Sequence, residues 1–197
     1  MTYSLRNEPD ASDMARLQGG DHAALDDLMD RHAAKLVNYL ARLLQNESDA
    51  ADIAQDTFVR VFQHGQRFDP QKSFSTWLYT IATNLARDRM RWRSRRPDTP
   101  LSQTGEEDDS VQEARIAAPD ASPDRTLLRQ ERAVAVQRAV ADLPEDLRTP
   151  LILSVYEDQS HAEVAAILNC TPKAVETRLY RARQQLRVSL GSLLETA

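Results

Sequence analysis

Apolar residues recur at intervals of three and four along most of the chain, which is the spacing of one buried helical face. Leu25, Leu28, Leu36, Leu40 and Leu43 share such a face, and Asp21 is placed to cap a helix running to about Gln45. "NESD" breaks the pattern. A second helix follows from about Asp49 to Gln63, with Ile53, Phe58, Val61 and Phe62 inward. "HGQRFDPQKS" carries Gly, Pro and polar residues and reads as a loop. Ser73 or Ser75 starts a third helix, whose apolar stripe is Trp77, Leu78, Ile81, Ala82 and Leu85.

After a stretch without periodicity the helical spacing returns. Leu127–Leu143 and Pro144–Glu157 read as two helices. Pro150 lacks an amide hydrogen and clashes one turn back, so a kink or a late helix start is expected there. Ser160 and Glu163 form a capping box for a short helix with Val164, Ile167 and Leu168 inward. "NCT" makes a tight connection. Thr171 caps the next helix, and Pro172 occupies its first position, where the missing N–H costs nothing. Val175, Leu179, Ala182 and Leu186 form its buried stripe. A short helix, a tight turn and a second helix constitute a helix-turn-helix. The periodicity is helical almost throughout and only five glycines occur. The fold class expected is therefore all-α.

Charge divides the chain more sharply than hydropathy does. The net charge of the 197 residues is −5. Yet residues 87–96 hold six arginines against Asp88, a local +5. Residues 97–124 hold eight acids against Arg115, a local −7, with Pro, Ser and Gly and few large apolar side chains. Such a segment cannot bury enough surface to offset chain entropy, so it is expected to be a flexible acidic linker. Its net charge could mimic nucleic acid inside a basic channel, with Glu106, Glu107, Asp108 and Asp109 at its densest point. The expected organisation is two small helical domains, 1–96 and 125–197, on either side of it. A second basic patch, Lys173 to Arg187, holds five basic residues and Glu176. The single cysteine, Cys170, excludes an internal disulfide and a cysteine-cluster zinc site. The four histidines are scattered, and no ligand cluster, nucleophile–base pair or phosphate-binding glycine loop occurs. No metal or cofactor is expected. No apolar run approaches the roughly 20 residues that span a membrane, and the first residues lack a basic start and apolar block. A soluble cytoplasmic protein is expected.

Three polar surfaces are candidates for chemistry. Asp49, Asp52 and Asp56 make an acidic stripe on the second helix, either an ordinary solvated face or a docking strip for a basic partner. On the third helix, Thr76, Thr80, Thr83, Asn84, Arg87 and Arg91 form a stripe in which hydroxyls and an amide give way to arginines. Cations hold phosphate and polar tips address bases, so this face suits nucleic acid. Phe68, Phe74, Trp77, Tyr79 and Trp92 are near enough to stack on unpaired bases, although Trp77 reads as core. Six like charges in ten residues repel, and an anionic partner is the simplest compensation. The third surface is the exposed side of the last helix, with Lys173, Glu176, Thr177, Tyr180, Arg181 and Gln184 placed to enter a major groove.

The two halves together resemble a bacterial RNA polymerase sigma factor of the extracytoplasmic-function group, over about residues 14–190. "DAADIAQDTFVRVFQHGQRFDPQKSFSTWLYTIATNLARDRMRWR" looks like sigma domain 2, and "LPEDLRTPLILSVYEDQSHAEVAAILNCTPKAVETRLYRARQQL" looks like sigma domain 4. The resemblance implies that the first domain binds core polymerase and captures the opened −10 element, and that the second reads the −35 element as duplex. By position it assigns Asp52, Gln55, Asp56 and Val59, with Asp49 beside them, to polymerase docking. It assigns the loop Phe68–Phe74 and the face Ser75, Thr76, Tyr79, Thr83, Asn84, Arg87 and Arg91 to the −10 element. Glu176, Thr177, Tyr180, Arg181 and Arg183 match the −35 reader, flanked by Lys173 and Arg187. Glu176 stands where some relatives carry a base-reading arginine, so no −35 sequence follows from the match. An anti-sigma factor is implied as an inhibitory partner. The competing readings are a stand-alone helix-turn-helix regulator, which needs no polymerase-docking stripe, and a helical nucleic-acid enzyme, for which no catalytic constellation is present.

Overall fold

The computed structural model describes residues 8–95 and 123–191, which form eight α-helices and one 3-10 turn with no strand among them. Helices α1 (Glu8–Gln18), α2 (Ala23–Leu44), α3 (Glu47–His64) and α4 (Phe74–Arg95) make the first unit. Helices α5 (Pro123–Ala141), α6 (Glu145–Val155), α7 (His161–Ile167) and α8 (Pro172–Ser189) make the second. The acidic stretch lies outside the described residues as far as 122. One continuous cluster of buried apolar side chains runs through both units.

The α2–α3 hairpin is made by two adjacent polar residues. Gln45 takes the left-handed conformation that ends α2, and its N–H donates to the Ala41 carbonyl. The side chain of Asn46 then accepts from the Asp49 N–H at 2.7 Å and opens α3. α2 therefore ends, and α3 begins, close to where the periodicity placed them. Asp21 contributes differently from a standard cap: its carboxylate accepts from the Ala23 N–H at 3.2 Å, while His22 holds the cap position. Leu28, Leu36, Leu40 and Leu43 are buried as expected. Phe62 is not; it is 45% exposed, with its ring edge-on to His22.

α1 has no counterpart in the sequence reading. Its only buried apolar side chains are Met14 and Leu17, and it is otherwise held by charge, with Asp10 and Asp13 buried as well. Asp10 accepts from Arg31 at 3.0 Å and pairs with His32 at 2.9 Å, while Asp13 pairs with Arg31 and Arg16. Gln18 at its end donates to the carbonyls of Gly65 and Phe68, so α1 braces the turn that leads into α4.

This anchoring has a pH signature. Burial alone would raise the Asp10 carboxyl, but hydrogen bonds and charge from His32 and Arg31 outweigh it and hold the group below the usual carboxylate range. A depressed folded-state value contributes stability above the unfolded value and loses it as pH falls through the folded one. Asp10→Asn is expected to cost about 1–2 kcal/mol at neutral pH. Denaturant titrations across pH should show that difference shrinking to nothing on acidification; a constant offset would mean that Asp10 acts through packing alone.

In the second unit, Leu147, Leu151, Ile152, Leu153, Val164, Ile167, Val175, Leu179 and Ala182 pack α6, α7 and α8 together. α6 runs through Pro150 with no late start. Pro150 is buried, so apolar packing holds the helix across the missing hydrogen bond, and the Thr149 hydroxyl donates to the Glu145 carbonyl beside it. The Ser160–Glu163 capping box and the Thr171 cap are both formed. Asn169 takes the left-handed conformation that the tight turn between α7 and α8 requires.

The two units meet where α4 packs on α7 and α2 on α6. Tyr79 donates to Glu157 at 2.5 Å, Arg87 to Glu145 at 2.9 Å, and the Arg42 guanidinium lies 4.5 Å above the Tyr156 ring.

Candidate nucleic-acid interface

α4 carries the first candidate surface. The side chain of Ser73, just before the helix, accepts weakly from the Thr76 N–H at 3.4 Å, and Ser73 and Ser75 share a 2.9 Å hydroxyl contact. Asn84 and Arg91 are exposed, and Ser75, Thr76, Thr80 and Arg87 are half-buried. The Thr76 hydroxyl is enclosed with no partner among the described residues. Four residues assigned to this face turn inward instead. Phe68 and Phe74 are core, joined with Trp77 in a cluster of rings 5.2–6.2 Å apart. The cluster pins the loop to α4, which is why neither phenyl group is presented for stacking. Thr83 is fully buried; its hydroxyl donates to the Tyr79 carbonyl and contacts the Tyr39 hydroxyl at 2.7 Å. Tyr79 is buried against the second unit through its bond to Glu157. Burial and the adjacent Glu157 carboxylate push its phenol well above the usual range, so it stays a donor. Trp92, by contrast, is 52% exposed.

Four of the six arginines in the run have carboxylate partners within the chain. Arg87 pairs with Glu145, Arg89 and Arg93 with Asp49 at 2.7 and 3.2 Å, and Arg91 with Asp88 at 3.4 Å. Carboxylates from α3, α4 and α6 thus offset half of the run's charge and leave it net positive.

α3 carries the second surface. Asp49 does not belong to it: it is buried, and it holds two arginines of α4. Asp52, Gln55, Asp56 and Val59 remain exposed on one side, one turn apart, with Val59 at 45%. Phe62 extends the same side by a further turn. The stripe is acidic at one end and apolar at the other, a composition suited to a protein partner.

The third surface is the outer side of α8. Lys173, Glu176, Thr177, Tyr180, Arg181, Arg183 and Arg187 are all exposed, Tyr180 at 64%. The Thr177 hydroxyl donates to the Lys173 carbonyl. Glu176 pairs with Lys173 at 2.9 Å, which lowers its carboxyl from the ordinary value, rather than with Arg181 or Tyr180. Arg181, Arg183 and Arg187 take no carboxylate partner among the described residues, unlike most arginines of α4. Cys170 is half-buried beneath the turn, 3.8 Å from Arg178. Among the described residues no group of three His, Cys, Asp or Glu side chains is placed to hold a metal, and no helix is long and apolar enough to cross a membrane.

These surfaces fall on two regions with known relatives. Sigma-70 region 2 matches residues 28–96, and sigma-70 region 4 matches residues 133–186. The RNA polymerase sigma-H factor of Pseudomonas aeruginosa is 34% identical over 98% of this chain and 100% of its own length. The ECF RNA polymerase sigma factor SigW of Bacillus subtilis is 33% identical over 90% of this chain and 95% of its own. Among solved structures, CnrH in complex with the cytosolic domain of CnrY superimposes with a TM-score of 0.68 at 27% identity, over 93% of this chain and 98% of that one. The sigma factor RpoE of Bartonella quintana, in complex with the anti-sigma factor NepR, shares the fold with a TM-score of 0.62 at 22% identity, over 84% of this chain and 96% of that one. With both regions in order, and near full-length identity to curated members, the chain belongs to the extracytoplasmic-function RNA polymerase sigma factors of the sigma-70 family.

Proposed function

We infer that the chain is a specificity subunit that brings core RNA polymerase to a defined set of promoters in the cytoplasm, and that an anti-sigma factor holds it in check. Residues 1–96 act as domain 2 and residues 125–197 as domain 4, with 97–124 as the tether. The single observation that carries the reading is the coexistence of two unlike exposed surfaces on one chain. The Asp52–Val59 side of α3 suits a protein partner, and the exposed arginines of α8, without a carboxylate partner among the described residues, suit a duplex. A duplex-binding regulator needs only the second. Asp52, Gln55, Asp56 and Val59 dock the polymerase. Ser75, Thr76, Asn84, Arg87 and Arg91 engage the opened −10 strand, with Phe68, Phe74, Tyr79 and Thr83 shaping that face from beneath. The outer side of α8 reads the −35 duplex. An inhibitory partner fits the complex in which RpoE was solved, with the anti-sigma factor NepR bound, and CnrH too was solved with a protein bound, the cytosolic domain of CnrY.

The test is reconstitution. The purified chain should be retained by core polymerase and should confer start-site-specific transcription on a promoter library. A chain that binds duplex DNA yet never associates with core polymerase would be a stand-alone regulator instead.

A further inference from the structure

We infer that α1 positions the −10 loop and that Gln18 is the residue through which it does so; the inference rests on the sigma-factor reading above. The exposed tip of that loop is Asp69, Pro70, Gln71 and Lys72. It is a turn closed on itself: the Lys72 N–H donates to the Asp69 carbonyl at 2.9 Å and the Gln71 N–H to the Asp69 carboxylate at 3.0 Å. Those bonds give the tip its shape. Where the tip stands is decided at its two feet, and both are tied to α1. The near foot is the 3-10 turn Gly65–Arg67, from which the chain leaves through Phe68. The far foot is Phe74, whose ring meets His32 edge-on at 5.1 Å, and His32 is held by Asp10 of α1 at 2.9 Å.

The near foot carries the positioning residue. The side-chain amide of Gln18 donates to two backbone carbonyls, Gly65 at 2.9 Å and Phe68 at 3.0 Å. The two acceptors lie on either side of the turn, so one side chain spans it. The bond is returned: the Gln66 side chain donates to the Gln18 carbonyl at 2.8 Å. A Cβ on Gly65 would lie 3.6 Å from Leu17 and 3.8 Å from Met14, so the turn sits directly on the two buried apolar residues of α1. Backbone carbonyls have no residue identity to recognise. A side chain that reaches them from 47 and 50 residues away fixes geometry and nothing else. A carboxylate could not donate and a hydroxyl has one hydrogen, so among uncharged side chains an amide suits both acceptors. Hydrogen bonds weaken steeply with misalignment. A tip that drifts therefore loses its preference between bases before it loses the strand. Gln18 thereby contributes to promoter choice without itself reaching a base.

The experiment has two arms, both on the full chain. Amide hydrogen exchange of the free protein reads the loop directly. Gln18→Met keeps the length of the side chain and removes both donors. The Phe68 and Lys72 amides should then exchange about threefold faster or more, with amides in the middle of α2 and α3 unchanged. Transcription by the polymerase-bound chain, from a library randomised across the −10 and −35 elements, reads the consequence. Gln18→Met should lower the preference within the −10 element by about three- to tenfold, the range for loss of one or two hydrogen bonds, and leave the −35 preferences within about twofold. Gln66→Ala, an exposed change that removes the returned bond, should move the same positions in the same direction to a smaller extent. It carries the test if Gln18→Met does not fold. Ile53→Val is a core change roughly 18 Å along α3 from Gly65. It controls for lost stability and should leave the −10 preferences at wild type. If the wild type selects no promoter, the sigma-factor reading fails and the claim on promoter choice with it; faster loop exchange in Gln18→Met then shows that the failure lies in that reading and not in the brace. Wild-type exchange at Phe68 and Lys72 in the folded variant, a −10 profile that neither Gln18→Met nor Gln66→Ala changes, an equal loss at both elements, or the same flattening by Ile53→Val would each overturn the inference.

Discussion

Asp56→Arg is expected to weaken core-polymerase binding by about tenfold or more while leaving the melting transition in place. Asp56 lies in the middle of the exposed side of α3, between Asp52 and Val59. Reversing its charge sets a cation against a partner surface selected for an acidic stripe, and like charges opposed across an interface cost several kcal/mol. Its stability cost is small because nothing is buried, within about 0.5 kcal/mol for an exposed substitution of this kind. Val59 and Phe62 continue the same side, so the apolar part of the contact survives and binding is reduced rather than abolished. Titration of labelled variant into core polymerase measures the effect directly. Wild-type affinity would show that the polymerase approaches from elsewhere, and Asp49→Arg is no substitute test. Asp49 is buried under Arg89 and Arg93, and its replacement would disturb the α3–α4 packing itself.

Arg181→Ala is expected to flatten the preference at one position of the −35 element. Arg181 lies one turn beyond Thr177 on the exposed side of α8, opposite Val175, Leu179 and Ala182. Its guanidinium has no carboxylate partner among the described residues, and a bidentate contact to guanine carries roughly 1–3 kcal/mol of discrimination. Arg187→Ala should differ in kind: all promoters weaken alike, and the salt slope falls by about one. Glu176 is held by Lys173, so any contact it makes to a base requires that pair to open. Transcription from a promoter library randomised across the −35 element, run with both variants, separates the cases. A uniform loss with Arg181→Ala would make it one more phosphate contact.

How far the sequence could be read depended on the range of the interaction. Ser160 and Glu163, or Thr171 and Ala174, are three residues apart, and the caps they form were legible as local chemistry. So were the buried stripes of α2 and α8, because one helix's periodicity selects its apolar side. The periodicity does not say what that side meets. Asp49 looked like a member of the exposed stripe because its partners, Arg89 and Arg93, are about forty residues away. Tyr79 and Arg87 have partners 78 and 58 residues distant, across the acidic stretch, so their place in an interface between units left no local trace. Phe68 and Phe74 read as stacking groups because aromatic side chains near a basic run suit both a core and a base platform. Only the ring cluster with Trp77 decides between them. α1 was missed for the opposite reason. Its buried apolar side chains are just Met14 and Leu17, and its attachment runs through ion pairs of the buried Asp10 and Asp13 and through the side chain of Gln18. Pro150 shows the limit of a propensity argument: buried among Leu147, Leu151 and Ile152, it is carried within α6 by packing.

Asp49 also joins the two helices that carry the candidate protein-facing and strand-facing surfaces. One buried carboxylate grips Arg89 and Arg93 a turn apart on α4 while its backbone belongs to the first turn of α3. The ion pairs tie α4 to the start of α3 in addition to the packing between the two helices. A polymerase that clamps the outside of α3 fixes the attitude of Asn84 and Arg87 as well. A chain deprived of that carboxylate would keep both surfaces, but the lever that joins them would be slack.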